Sequence, residues 1–274
     1  MSGSFNRVLL ATEGTEFDVG SERVAIELAA QWGLPLLAVI AVVSNPEFEI
    51  VAPQLAQRAE AEAATHLDKL LQLAQARGVE LHGSVRMGET LYQEIVAEAS
   101  ERKADLIVLR RRGKRGFVAT LMIGAMVHTV IGHAPCNVLI VPRAATMWSR
   151  GILLATDGSV HSERATEVAA EMAVRCALPV TVVCVPAHPQ EDKAIATANV
   201  ERALACLRAA GASANGRIRD GRPHEAILAV GSEVGADLII MGRRGLGGVE
   251  RLLLGSTSER VAGFADCPVM IVRA

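Results

Sequence analysis

Apolar residues in this chain gather in short unbroken runs, separated by longer stretches in which they recur every three or four positions. In the second half the runs are ILLA (152–155), PVTVVCV (179–185), DLIIM (237–241) and PVMIV (268–272). Between the first two, Ala165, Val168, Ala169, Met172 and Ala173 fall at offsets of 0, 3, 4, 7 and 8, one stripe of an α-helix. Further helices are expected over 198–210, 224–234 and 256–265, and a more polar strand over 214–221. Unbroken apolar strands alternating with helices specify a parallel sheet covered on both faces. The expected unit is a doubly wound, five-stranded α/β sandwich, Rossmann-like in plan.

The same plan occurs twice. RVLLATEGT (7–15) matches GILLATDGS (151–159), and SERVAIELA (21–29) matches SERATEVAA (162–170) with a small shift. ADLIVLRRRG (104–113) matches ADLIIMGRRG (236–245), and APCNVLIVPR (134–143) matches ADCPVMIVRA (265–274). The order is conserved between halves, so two tandem domains are expected, 1–143 and 150–274, joined near AATMWSR (144–150). The second is shorter after its second strand.

In such sheets ligands sit beyond the carboxyl ends of the strands, where strand order reverses. The loop 242–255 leaves the tip of the fourth strand of the second copy there and leads into a helix. Gly242 admits close backbone approach, and Gly245 allows a positive φ. Gly255 precedes the helix, and Ser256 with Glu259 has the spacing of a capping box. A helix N-terminus with the hydroxyls of Ser256 and Thr257, and with Arg243 and Arg244 beside it, suits phosphate. The same residues also suit a plain turn and cap. A dinucleotide fold would place glycines directly after the first strand. Thr156 and Asp157 stand there instead, and a carboxylate repels pyrophosphate. Asp157 either contacts a base or ribose or closes the first turn.

Composition narrows the chemistry. The net charge is −2 and aromatics are 3%, which argues against nucleic acid as a partner. The longest apolar run, 34–43, is too short to span a bilayer. The five cysteines include no CxxC, and the seven histidines show no metal-binding spacing. No nucleophile elbow and no P-loop occur. His161 and Glu163 lie near the expected mouth, where they serve as surface helix residues or assist phosphoryl transfer. No catalytic residue and no protein-held metal are expected.

The spacing Gly242-x-x-Gly245, nine residues, then Gly255-Ser256 resembles the nucleotide-binding pattern of the universal stress protein family, as do ILLATDGS, GRPHEAI (221–227) and CPVMIV (267–272). The resemblance covers essentially the whole chain. It implies a cytoplasmic, ATP-binding stress-response protein with Mg2+ accompanying the triphosphate. Asp157 and the backbone at Val185 would flank adenine and ribose, with Thr156 and Met241 nearby. Gly242, Arg244, Gly245, Gly255, Ser256 and Thr257 would hold the phosphates. It also implies intramolecular pairing of the two domains as a pseudo-dimer through their last strands, 138–141 and 269–272, a regulatory protein partner, and a possible homodimer.

The first copy departs from this pattern. Arg110 replaces Gly242, Ala125 replaces Ser256, Glu13 replaces Asp157, and the gap from Gly113 to Gly124 is one residue longer. Nucleotide binding is therefore expected in the C-terminal copy alone. The basic loop 110–115 is either a solvated loop or a contact for an anion or acidic partner. A slow ATPase and a nucleotide-independent scaffold are the alternative functions.

Overall fold

The apolar runs become strands with both faces covered, because each lies between helices that bring their own apolar stripes. The computed structural model describes residues 5–111, 124–186, 192–245 and 254–274. These fall into two units, one built from residues between 5 and 147 and one from 148–274.

The N-terminal unit runs β1 (Val8–Thr12), α1 (Val19–Trp32), β2 (Leu36–Val43), α2 (Pro46–Val51), α3 (Pro53–Gln75), β3 (Leu81–Gly88), α4 (Leu91–Glu101), β4 (Leu106–Arg110), α5 (Ala125–His133) and β5 (Asn137–Val141). Its strands lie in the order β3-β2-β1-β4-β5, and the pairs are parallel. The C-terminal unit runs β6 (Ile152–Thr156), α6 (Val160–Cys176), β7 (Val180–Cys184), α7 (Lys193–Ala209), β8 (Ala214–Ile218), α8 (Pro223–Glu233), β9 (Leu238–Gly242), α9 (Ser256–Phe264) and β10 (Val269–Val272). Its order is β8-β7-β6-β9-β10, again parallel. Both match the doubly wound plan read from periodicity. In each, chain order reverses at the first strand, between β1 and β4 and between β6 and β9, which opens a crevice at their carboxyl ends.

The outer strands β3 and β8 are the least buried, so their sequences are polar. α7 starts at Lys193, five residues before the expected 198, because its buried stripe Ala196, Val200, Ala203, Leu207 reaches back that far. The extra N-terminal segment after β2 is α2 and the 23-residue α3.

The repeat explains two aspartates that composition alone leaves unassigned. Asp237 accepts hydrogen bonds from the N–H groups of Ser149, Arg150 and Gly151 at 2.7, 2.9 and 3.1 Å. Asp105 accepts from Asn6 and Arg7 at 2.6 and 3.0 Å. Each thereby fixes the entry of the first strand beside the fourth. Helix ends differ between copies: Gly33 at φ 64° has its counterpart in Ala177 at φ 54°, and Gly235 at φ 64° in Lys103 at φ 53°.

Candidate functional site

In the C-terminal unit β6 ends in the turn 156–159, which is held from within. Asp157 Oδ1 accepts from the Ser159 N–H at 3.0 Å and from Ser159 Oγ at 2.6 Å. Thr156 Oγ1 accepts from the Gly158 N–H at 3.3 Å and lies 3.1 Å from Ser162 Oγ, so this hydroxyl is committed to the turn. Gly158 adopts φ +77°, and a Cβ there would meet the Asn199 amide of α7. That amide donates to the Asp157 carbonyl at 3.0 Å. One carboxylate oxygen thus closes the turn. The other, Oδ2, lies 2.3 Å from where a Cβ on Gly245 would stand.

The tip of β9 lies alongside. Gly242 is buried as the last residue of the strand, and a Cβ there would be 2.7 Å from the His161 carbonyl carbon. The first demand for glycine at 242 is therefore made by helix α6. Gly245 does not take the positive φ expected of it; what it requires is the close approach of Asp157. The capping box is corrected as well. Gly255, not Ser256, is the N-cap of α9, and no side chain caps the helix. Gly255 takes extended backbone, its N–H donating to the Arg243 carbonyl at 3.0 Å. The helix frame therefore begins one residue earlier than a Ser256–Glu259 box needs. The first N–H groups of α9 have no acceptor within the helix, with Ser256 exposed and Thr257 half-buried beside them. Ser258, which sequence reasoning passed over, is buried and donates to the Gly242 carbonyl at 2.9 Å, tying α9 to the strand tip. Val185 follows β7 half-buried, and Met241 is buried in β9. Residues 246–253 of the loop lie outside the described residues.

The electrostatics of this end are cationic. Burial, then the charges of Arg244 and Arg273, push the Arg243 guanidinium below its ordinary value. Burial, then the charges of Arg243 and Arg244, also lower the His161 imidazole, which favours its neutral form; the Asp157 carboxylate opposes this. Arg244 and Arg273 thus lie close enough to Arg243 for their charges to act on it. The thiol of Cys184, at the end of β7, is pushed up to about 11 by burial and by Asp157, so it is neither nucleophile nor thiolate ligand near neutrality. Among the described residues no group of three or more His, Cys, Asp or Glu side chains is arranged to hold a metal.

The N-terminal unit has only a narrow cleft at the same crevice. Strand register puts Ala41 at the place of Val185, Leu109 at that of Met241, and Arg110 at that of Gly242. Met126 stands at that of Thr257, the second residue of its helix. Thr12, Glu13, Asp18 and Arg110 line its polar side, and the rest of the lining is apolar. Arg110 Nη2 donates to Glu13 Oε2 at 2.6 Å, and its Nε lies 3.1 Å from Asp18 Oδ1. Its guanidinium sits 5.8 Å from the Phe17 ring centroid. Asp18, with 1% of its side chain exposed, also accepts from the Thr15 N–H and Oγ1 at 2.9 and 2.6 Å. The β1–α1 loop supplies these partners because it is longer: five residues (13–17) before the N-cap Asp18, against two (157–158) before the N-cap Ser159. Gly14, at φ +70°, packs against His66 of α3, whose Nε2 is 2.7 Å from buried Glu22. Gly113 and residues 112–115 of the basic loop lie outside the described residues.

Comparison with known proteins agrees with the repeat. A model of the universal stress protein family matches residues 4–142 and again 149–273. A universal stress protein of Thermus aquaticus is 39% identical over 133 residues, 44% of this chain and 97% of that protein. One from Mycolicibacterium smegmatis is 30% identical over 215 residues, 71% of each chain. The crystal structure of a universal stress protein from Archaeoglobus fulgidus superposes over 99% of this chain and 97% of its own with a TM-score of 0.81, at 23% identity, which bears on the fold alone.

Proposed function

This chain belongs to the universal stress protein family, and on that premise we propose that it is a regulatory stress-response protein whose C-terminal unit binds ATP and whose N-terminal unit does not. The observation that carries this reading is the contrast at one position of the repeat. Gly242 puts no side chain at the strand tip beside Arg243, Arg244 and the uncapped start of α9, whereas Arg110 puts a guanidinium at the same place, paired with Glu13 and Asp18. The N-terminal place is filled by a cation that has its own carboxylates.

In the C-terminal unit the phosphates would lie against the backbone from Gly242 to Gly245 and the N–H groups, hydroxyls and dipole of α9. The base and ribose would lie toward Asp157, Val185 and Met241. With no metal-binding cluster among the described residues, Mg2+ would be held chiefly by the triphosphate. Nucleotide occupancy would change the surface around 242–257 that a regulatory protein partner meets. No described helix is long and apolar enough to cross a membrane.

Calorimetric titration of the intact chain with ATP and NAD tests the reading. ATP is expected to bind the more tightly, and Arg243→Ala with Arg244→Ala to weaken it about tenfold or more, the scale of one lost charge-assisted contact. Equal or tighter NAD binding, or indifference to the two arginines, would overturn it. A second reading, slow hydrolysis, is favoured by the neutral imidazole of His161 beside Arg243 and Arg244. Glu163 gives no such support, being exposed and paired with Arg202 at 3.0 Å. Phosphate release that disappears in His161→Gln would establish hydrolysis; release that is absent, or unchanged by the substitution, would eliminate this role.

A further inference from the structure

A cleft in the C-terminal unit lies at the other end of its sheet. It has an empty volume of about 550 Å3, part of it open to solvent, at the amino ends of β6, β7 and β8. Apolar Ile152 and Val234 line part of it, and Arg150, Arg217, Thr181 and Asn215 bring polar side chains. Thr181 is 7% exposed and Asn215 is exposed, so both meet solvent in the cleft, and neither has a polar atom that is buried without a partner. A ligand hydroxyl or carbonyl in the cleft would take the place of the water that meets these two side chains.

Comparison within the repeat shows that the fold does not require these residues. By register, Thr181 occupies the place of Leu37, and Arg217 that of Ser84. Ser84 turns inward, donating to Glu98 at 2.9 Å. The charge balance also reverses. In the N-terminal unit Arg86 meets the three carboxylates of Glu94, Glu98 and Glu101, and Arg102 also meets Glu98, two arginines to three carboxylates. In the C-terminal unit the single carboxylate of Glu233 meets both Arg217 and Arg219. Arg150 is held loosely, its Nε 3.4 Å from Asp237, whose oxygens already serve three backbone N–H groups. The cleft therefore has a surplus of guanidinium donors over a partly apolar floor.

We propose that this cleft is a second ligand site, separate from the nucleotide crevice, that takes a small organic oxyanion. Arg150 and Arg217 would hold the oxyanion, since guanidinium matches carboxylate and phosphate oxygens in pairs. Thr181 and Asn215 would meet a hydroxyl or carbonyl of the ligand, and Ile152 and Val234 its carbon frame. The site does not depend on the proposed ATP binding, so it is tested with ATP present in saturating amount and again without it.

Amide NMR of the intact chain, titrated separately with glycerol phosphate and with succinate, gives a direct test, and the tighter of the two identifies the oxyanion. Shifts are expected to cluster at residues 150–152, 180–181 and 215–217, with a dissociation constant of about 1 mM or below. Arg150→Ala with Arg217→Ala should weaken binding about tenfold or more. Thr181→Leu, which installs the residue that the other copy tolerates, should weaken it about threefold or more while the remaining spectrum is unchanged. The proposal fails if neither probe shifts these amides at about 20 mM, if affinity is the same in the double variant and in Thr181→Leu, or if the shifts fall only around 242–257. Should the double variant disturb the fold, Thr181→Leu decides.

Discussion

Replacing Arg110 with alanine removes the cation from a place where two carboxylates were arranged around it. The cost can be worked from the contacts. Asp18 has 1% of its side chain exposed and Arg110 has 13%. Taking one partner from such a buried pair costs about 3–5 kcal/mol, because the other charge remains without compensation. Two features reduce this. Asp18 keeps its hydrogen bonds from Thr15, and Glu13, with 36% of its side chain exposed, can turn to water, so its pairing contributes no more than about 1 kcal/mol. A net loss of about 2–4 kcal/mol is expected, in the N-terminal unit.

The assay can isolate that unit, because Trp32 lies in it and Trp148 in the other. In a Trp148→Phe background, urea unfolding followed by fluorescence reports on the surroundings of Trp32. A double-mutant cycle with Asp18→Asn then separates the charge interaction from lost packing. The double variant should be about 1.5 kcal/mol or more better than the sum of the single changes. If Arg110→Ala costs less than about 0.5 kcal/mol, or the cycle is additive, Arg110 is a solvated side chain and the filled-site argument is wrong.

Ala177 and Lys103 hold left-handed backbone at positions where the other copy has glycine, so Ala177→Gly and Lys103→Gly should each stabilise by about 0.5–1 kcal/mol in urea unfolding, and a loss in either would contradict the strain argument. Gly242→Ala should cost about 1–3 kcal/mol even without ligand, because its Cβ meets α6 at His161; an unchanged unfolding midpoint would refute the packing role. The His161 imidazole is held below its ordinary 6.5 in the folded chain. Between that value and the lower folded one the unfolded state carries more protons, so this contribution to stability, present above 6.5, is lost as pH falls. His161→Gln should flatten that part of the stability–pH curve, and an identical slope would exclude His161 as its source.

Much of the fold was legible because burial on two faces leaves unbroken apolar runs, as in 237–241, and burial on one face leaves a 0, 3, 4, 7, 8 stripe, as in α6. Positions that depend on contacts distant in sequence were not. The aspartates of the paired ADLI segments read as ordinary strand openings, although Asp237 binds a chain entry 86–88 residues away. Ser256 and Glu259 have capping-box spacing, but the frame of α9 is set by the link from Gly255 to Arg243. Gly242 was legible as a required glycine, while its reason, the backbone of α6, was not. A sequence signal for the filled N-terminal site did exist. Glu13 and Asp18 appear in a loop three residues longer than its counterpart, in the same copy in which glycine has become Arg110. Opposite charges acquired together in one copy indicate a contact.

The central claim is one nucleotide per chain, held by the C-terminal unit, and ATP stoichiometry by calorimetry tests it most directly. It is best measured in the intact chain, in Gly245→Val, whose side chain would enter the space taken by Asp157 at an exposed position, and in Arg110→Gly. The account predicts one site in the intact chain, none or a severely weakened one in Gly245→Val, and still one in Arg110→Gly, where the Glu13 and Asp18 carboxylates remain. Two sites in the intact chain, undiminished binding in Gly245→Val, or a second site gained in Arg110→Gly would contradict it.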